Sequence, residues 1–327
     1  TFALANIFCK PYSVANADEL GLVLVVDKPI AITDKISRAT LGETYMQILA
    51  DLTKAKEHAQ IAEDEGFDDV DEFYMNYAAI YALEARVRLF MADYPGAITA
   101  ANEAITKRDG AIENNAANYL AQWSSIVIND EDIFTISKTP DDNLSANSLN
   151  TLYGSYAGRV TPHIYNLFAA NDMRLDLFTL DAVNNGYKAK YQGIPGAAAT
   201  NNIPVLRLPE MYLILAECYS YSNITEAQNN LLVIAKRNPA ITTVADLPAT
   251  QADLLTFIAE ERQRELFQEG HRYYDMRRTG EIMNRTTGAV NIVNFDIAKF
   301  CYPIPTYEIN ASGIEQNPDW ASFLPTM

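Results

Sequence analysis

Three glutamates of one predicted helix have the residue type and spacing that acid–base chemistry uses. Glu261, Glu265 and Glu269 recur every four residues and therefore lie on one helical face. Glycosidases use two carboxylates that flank the sugar, whereas acids on one face of one helix point the same way. Glu260 and Arg264, also four residues apart, have the spacing of an ion pair. We therefore predict that this helix forms salt bridges and packs, and that it does not catalyse.

Other residue types that carry chemistry lack the spacing that the chemistry needs. His58, His163 and His271 are separated by 105 and 108 residues and match no zinc-binding motif. In the segment GSYAG at 154–158 the serine stands one position too early for a nucleophile elbow. The three cysteines are too widely spaced to define a metal site, and we expect them to be small buried side chains. The sequence predicts no enzyme activity, no metal site and no cofactor.

Tyrosine is the more informative residue type, because the chain has 19 tyrosines and 2 tryptophans. The apolar face of a pyranose stacks on a flat ring, while Asn and Arg side chains bond its hydroxyl groups. Residues 129–199 have this mixture and form a long irregular insertion, and such segments tend to be functional. The predicted ligand-binding residues are Tyr153, Tyr156, Asn147, Asn150, Arg159, Tyr187 and Tyr191, with Asn184 and Asn185 nearby.

Helix pairs must position this insertion. A capping box begins at Thr40, and apolar residues then recur at spacings of four and three as far as Ala55. Apolar stripes predict further helices over about 71–90, after Pro95, after Pro209, and over about 251–269 with Gly270 as a C-terminal cap. Short links and small residues at the helix crossings are similar to those of tetratricopeptide repeats. The expected fold class is mainly α, with tetratricopeptide-like helix hairpins and a loop-rich insertion.

Composition excludes two classes of partner. The chain has 25 Lys and Arg against 42 Asp and Glu, a net charge of −17, and no basic cluster that would bind nucleic acid. Its longest apolar run, Leu20 to Val26, is much shorter than the roughly 18 residues that a membrane span needs. We therefore predict no nucleic-acid partner and no transmembrane helix.

Ordered motifs in the C-terminal half resemble the SusD/RagB family. They are RLPEMYLILAE at 207–217, EERQRELFQEGHRYYDMRR at 260–278, YPIP at 302–305, EIN at 308–310 and QNP at 316–318. Weaker matches lie at 172–174, 45–55 and 20–26, so the resemblance covers essentially the whole chain. We expect the family's lipoprotein signal, acylated cysteine and first part of the mature domain to be missing from this sequence. Cys9 does not lie in a lipobox.

The resemblance also predicts how the chain is organised. It implies a single SusD-like domain over residues 1–327, with its helical repeat core at about 40–110 and 205–280. The insertion at about 129–199 is then the ligand-facing part, and residues 281–327 form a C-terminal tail.

The same resemblance implies a function. Members of the family capture oligosaccharides without cleaving them, as surface lipoproteins of the outer membrane, and deliver them to a SusC-like TonB-dependent barrel. The chain would contact the membrane only through the missing lipid anchor. Two alternatives stay open: peptide capture of the RagB type, and a tetratricopeptide scaffold whose groove binds a partner protein.

Overall fold

Helices dominate the structure, as the mainly α prediction requires. A computed structural model describes residues 1–26, 36–67, 71–156, 158–287 and 290–323. The helices are α1 Phe2–Phe8, α2 Leu41–Asp64, α3 Tyr77–Phe90, α4 Tyr94–Arg108, α5 Ala116–Gln122, α6 Pro162–Tyr165, α7 Leu208–Tyr219, α8 Ile224–Ala235, α9 Gln251–Leu266, α10 Arg272–Thr279 and α11 Thr306–Ser312. None of the described helices is long and apolar enough to cross a membrane.

Strands are short and pair only in twos within the described residues. They are β1 Asp132–Ile136, β2 Thr179–Asp181, β3 Gly186–Lys188, β4 Ile203–Arg207, β5 Ile282–Thr287 and β6 Val290–Asp296. The antiparallel pairs are β1 with β4, β2 with β3, and β5 with β6. The pairing of β1 with β4 joins the beginning of the insertion to the start of α7.

The chain forms two compact units. The first consists of Thr1–Ala55, Phe90–Ala92 and Arg272–Met327, and the second of Lys56–Leu89 and Asp93–His271. In the first unit, Phe2 packs edge-on against Tyr45 and Phe90, with ring centroids 6.3 Å and 5.3 Å apart. The assignment of the whole chain to one domain stays a prediction.

Helix hairpins form the core of the second unit. Asp93 caps α4 by accepting a hydrogen bond from the Gly96 amide, and Pro95 occupies the first turn, where its missing N–H costs nothing. The core around α3, α4 and α7 is rich in alanine, including Ala82, Ala85 and Ala101, which lets the helices approach closely. The predicted hairpin that begins after Pro95 is therefore confirmed.

A second hairpin packs beside the first. Helices α7 and α8 are joined by a short turn, and the Asn223 side chain caps α8 by accepting from the Glu226 amide. Leu213, Leu231 and Ile258 belong to the buried core that α7, α8 and α9 share. The repetition of the hairpin agrees with the tetratricopeptide-like prediction.

Two predicted helix boundaries are wrong. Helix α3 begins at Tyr77 and not near Asp71, because the Asn76 side chain accepts from the Ala79 amide and caps the helix there. Helix α9 ends at Leu266, before the predicted cap at Gly270. Phe267 turns to an extended conformation and buries its ring in the aromatic core of the insertion, so tertiary packing ends this helix.

Candidate functional site

A tight double turn in the insertion presents two of the predicted ligand-binding residues. A 3-10 turn at Ser145–Asn147 is followed by a π-helical turn at Thr151–Ser155. The Ser148 hydroxyl accepts from the Thr151 amide at 3.1 Å and joins the two turns. Asn147 is exposed at one end, and Tyr156 is 61% exposed at the other.

Other predicted residues lie beneath this double turn. Tyr153 is half-buried and its ring stacks on Tyr191, with centroids 6.2 Å apart and an interplanar angle of 20°. Tyr191 is only 3% exposed and contacts Trp123 edge-on at 5.5 Å. The Asn150 side chain donates to the Tyr191 carbonyl at 3.1 Å. Asn150, Tyr153 and Tyr191 therefore form one layer that supports the exposed turn.

Arg159 connects this layer to the β2–β3 hairpin. Its guanidinium donates to the Tyr153 carbonyl and pairs with Asp181 at 2.6 Å. Hydrogen bonds from Asn184 and Arg159 lower the pKa of Asp181 to about 2. Asn185 adopts a left-handed φ of 48° in the hairpin turn, a conformation that asparagine tolerates. Arg159 and Asn184 thus bond protein groups.

Tyr187 belongs to a second aromatic cluster. It stacks on Tyr165 with centroids 4.2 Å apart and an interplanar angle of 8°, and both rings are half-buried. The Tyr187 and Val160 backbones exchange two hydrogen bonds of 2.9 Å, which places Tyr187 beside the residue after Arg159. Sequence reasoning missed Tyr165, because it lies on the short helix α6 and not among the asparagines that drew attention to the other tyrosines.

A small cleft adjoins the buried side of Tyr191. Its cavity volume is about 20 Å³, enough for one water molecule, and its lining includes Gln122, Trp123, Asp132, Tyr191 and Asn201. Three buried polar atoms, Gln122 Nε2, Trp123 Nε1 and Asn201 Oδ1, have no hydrogen-bond partner within the described part of the chain. Burial raises the pKa of Asp132 to about 6. A space of this size with these donors and acceptors suits a single water molecule.

Sequence reasoning missed this cleft. Trp123 is buried, and its side chain lines a cleft that only the packed structure reveals. The asparagines at 129, 201 and 202 were the available signal, since they flank strands β1 and β4, which close the cleft.

A buried ion network lies under the insertion and includes the three glutamates of the carboxylate face. Its cations are Arg174, Lys190, Arg207, Arg237 and Arg264, and its carboxylates are Glu131, Asp172, Glu261, Glu265 and Glu269. Glu265 lies at the centre, 3.0 Å from Arg207, 2.5 Å from Arg237 and 3.2 Å from Arg174. Burial alone would raise the pKa of Glu265, but the cations, above all Arg237, lower it well below the usual range.

The network confirms that the three glutamates form salt bridges and pack, although Glu269 lies after the end of α9 and not on its face. Arg174 reaches Glu261 at 2.6 Å and thereby ties the insertion to α9. Lys190 donates 2.6 Å bonds to the Glu265 carbonyl and the Glu269 carboxylate, and lies 4.3 Å from the rings of Trp123 and Phe267. Glu260 is at the exposed rim, 3.4 Å from Arg264.

Residues able to bind a metal do not cluster. No group of three or more His, Cys, Asp or Glu side chains within the described ranges has an arrangement that could hold an ion. His271 lies 3.8 Å from Glu210, and burial lowers its pKa to about 4, so its imidazole is neutral at pH 7.

Comparison with known proteins identifies the family of this chain. Residues 99–320 match the SusD family, which is more than half of the sequence. The chain belongs to the SusD family. This confirms the resemblance that the C-terminal motifs indicated. No curated protein matches the chain significantly.

Solved structures of the family agree with this fold. A putative sugar binding protein from Bacteroides vulgatus has a TM-score of 0.81 and 28% identity, over 98% of this chain and 74% of that one. A SusD superfamily protein from Bacteroides thetaiotaomicron has a TM-score of 0.80 and 27% identity, over 97% and 75%. A laminarin binding SusD-like protein has a TM-score of 0.67 and 22% identity, over 97% and 75%, and shows the fold alone.

Proposed function

We propose that this SusD-family chain captures oligosaccharides through its insertion and does not cleave them. The observation that carries the proposal is the position of Tyr156, whose ring is 61% exposed at the end of the double turn that also exposes Asn147. An exposed ring offers its face to a pyranose, and the exposed Asn147 amide of the same double turn offers both donors and an acceptor to hydroxyl groups.

The layer beneath the double turn favours ligand binding because it holds the turn in place. Tyr153 stacks on Tyr191, and Asn150 bonds the Tyr191 carbonyl. A rigid surface loses little conformational entropy when a ligand binds, so more of the interaction energy contributes to affinity. We assign Tyr153, Asn150, Arg159 and Tyr191 to this supporting layer, and Tyr156 and Asn147 to direct contact. Tyr187, with Tyr165, is the candidate for an adjoining contact surface.

Capture without cleavage is supported by the state of the carboxylates. Glu261, Glu265 and Glu269 are buried and paired with arginines or with Lys190, so none is available to protonate a glycosidic oxygen. The name of one similar structure, a putative sugar binding protein at 28% identity, agrees with carbohydrate as the ligand class.

Family membership supports cell-surface location and delivery to a transporter. We infer that the mature protein is a lipid-anchored outer-membrane protein that delivers its ligand to a SusC-like TonB-dependent barrel. Solubilised outer membranes containing the full lipoprotein should yield the barrel in the same complex. A lipoprotein purified without a barrel would contradict delivery and leave sugar binding unaffected.

Calorimetric titration tests the ligand class. The purified protein is titrated with panels of oligosaccharides and of peptides, and each mixture is analysed for products. Saturable sugar binding without new products is expected. Binding of peptides alone would favour the RagB-type alternative. If neither panel binds but a partner protein does, the tetratricopeptide scaffold is favoured. Cleavage of any ligand would overturn the non-catalytic proposal.

Two variants of equal exposure test the site. Tyr156→Ala should weaken sugar binding at least about tenfold, a loss of roughly 1.4 kcal/mol. Tyr74, which is 62% exposed and outside the insertion, provides the control Tyr74→Ala, and this variant should bind like the wild type. Tyr153→Ala combined with Tyr156→Ala should abolish binding in a protein that stays folded. Unchanged affinity in the double variant would remove both residues from the site.

A further inference from the structure

We propose that Cys9 and Cys301 are a redox pair that forms a disulfide when it reacts with an oxidised thiol compound, joining the first helix of the chain to its C-terminal tail. Both side chains are buried in the first unit, at 1% and 5% exposure. The sequence suggested no pairing, because 291 residues separate them along the chain.

Backbone hydrogen bonds bring the two segments side by side. The Tyr302 amide donates to the Ile7 carbonyl at 3.0 Å. The Asn317 side chain donates to the Phe8 carbonyl at 3.0 Å and to the Tyr302 carbonyl at 2.8 Å. Residues 7–9 therefore run along residues 300–302, with one cysteine in each segment.

One nitrogen of Arg277 contacts both cysteines. Its Nη2 atom lies 2.8 Å from the Cys9 carbonyl oxygen and 3.9 Å from the Cys301 sulfur. Because 2.8 Å and 3.9 Å add to 6.7 Å, the Cys9 carbonyl oxygen and the Cys301 sulfur are at most that far apart. This contact and the paired segments make the two residues neighbours, and closing the disulfide requires their side chains to turn until the sulfurs meet at about 2 Å.

Each sulfur has an arginine beside it. Arg38 Nη2 lies 3.8 Å from the Cys9 sulfur, and Arg277 is the corresponding neighbour of Cys301. A guanidinium stabilises the thiolate, which is the nucleophile in disulfide exchange. Burial opposes this effect and raises the pKa of Cys9 to about 11, and it also raises the pKa of Cys301. Exchange should therefore be slow in the closed protein and proceed when the segment opens or while the chain folds.

The reaction is an exchange with a small-molecule disulfide such as oxidised glutathione. The thiolate of one cysteine attacks a glutathione sulfur, breaks the glutathione S–S bond and releases one glutathione thiol. The second cysteine attacks the protein sulfur of this mixed disulfide and releases the second glutathione. The two cysteines lose two electrons and two protons, and the two glutathione molecules gain them.

Peptide mapping of the wild-type chain tests the pairing. The folded protein is incubated with oxidised glutathione at mildly alkaline pH, and remaining thiols are alkylated before digestion without reductant. The expected product links the Cys9 and Cys301 peptides and is lighter than the two reduced peptides by two hydrogens. Alkylation of both thiols, glutathione adducts alone, or linkage to Cys218 would each overturn the proposal.

Thermal unfolding supplies a second test. A disulfide that closes so long a loop restricts the unfolded chain, so the oxidised protein should have a higher Tm than the reduced protein. Cys301→Ser should abolish both the linked peptide and the rise in Tm. Cys218→Ser alters a buried cysteine of α7 and should retain both. If Cys301→Ser fails to fold, the wild-type peptide map still decides the question. A linked protein without a higher Tm would contradict a link between native neighbours.

Discussion

The helix hairpins and the insertion of the second unit are stabilised by different kinds of contact. The core that α7, α8 and α9 share contains a cluster of buried apolar side chains, among them Leu213, Leu231 and Ile258. Charged groups attach the insertion, through Arg174 to Glu261 of α9 and through Lys190 to Glu269, three residues after α9 ends. The turns of the insertion rely on side chains that bond backbone, as Asn150 does.

This difference shows how an irregular segment can be as well positioned as a helix. Apolar contacts are not directional, so they suit elements whose backbone hydrogen bonds are already satisfied. Residues 129–199 have few such elements, and directional ion pairs and hydrogen bonds fix their position instead. We hypothesise that the buried charges specify the position of the insertion more than they add to stability, because desolvation offsets much of the attraction.

The largest effect should come from the centre of the network. Glu265→Gln leaves Arg174, Arg207 and Arg237 without the charge that they surround, and should lower the free energy of unfolding by about 3 to 5 kcal/mol. Glu260→Gln, on the same helix with a side chain 43% exposed, should change it by less than about 0.5 kcal/mol. Denaturant unfolding of both variants measures the difference. Equal losses of stability would show that the buried network contributes no more to stability than the exposed Glu260 does.

A pH titration of stability should reveal the contribution of Lys190. Burial lowers its pKa from 10.5 to about 8, so between these values the unfolded chain binds more protons and stability rises with pH. The stability gained by wild type over Lys190→Met should reach roughly 3 kcal/mol across that window, at 1.36 kcal/mol per pKa unit.

The adjacent exposed lysine is the control for this titration. Lys188→Met should follow the wild-type dependence on pH, because Lys188 is exposed. Stability is measured by denaturant unfolding at a series of pH values. A Lys190→Met curve parallel to that of the wild type would contradict the lowered pKa of buried Lys190.

Substitutions at two glycines of the insertion should distinguish the cost of a positive φ from the cost of steric overlap. Gly193 and Gly196 both have positive φ, 79° and 82°, but a Cβ at Gly193 would lie 2.2 Å from the Ala198 carbonyl oxygen, while nothing lies within 4 Å of one at Gly196. Gly196→Ala should cost about 1 kcal/mol and Gly193→Ala roughly 2 kcal/mol or more. Denaturant unfolding of both variants measures the difference in stability. Equal losses would mean that the backbone around Gly193 shifts to relieve the contact with Ala198.

The smallest effect on stability should be that of the residue assigned to ligand contact. Tyr156→Ala removes an exposed ring and should change the free energy of unfolding by less than about 0.5 kcal/mol. Tyr153→Ala removes the half-buried ring that stacks on Tyr191 and should cost about 1 to 2 kcal/mol. The opposite order would exchange the roles of the two tyrosines.

Much of the helical part could be predicted, whereas the candidate site could be predicted only as a segment. Helices after Pro95 and Pro209 begin where the first-turn prolines indicate. The seven predicted site residues all belong to the insertion, yet they separate into exposed and buried layers that spacing does not reveal. Helix α9 ends early because Phe267 packs into an aromatic core that comes mostly from distant residues.

By itself the sequence determined the helix hairpins and the family, since these depend on residues within a few positions of one another or on ordered motifs. Only the tertiary structure decided that Tyr156 is exposed while Tyr191 is buried, and which arginines surround Glu265. The physical reason is the range of the contacts. Asn150 reaches Tyr191 across 41 positions and Arg174 reaches Glu265 across 91, so the burial of each group depends on how distant segments pack.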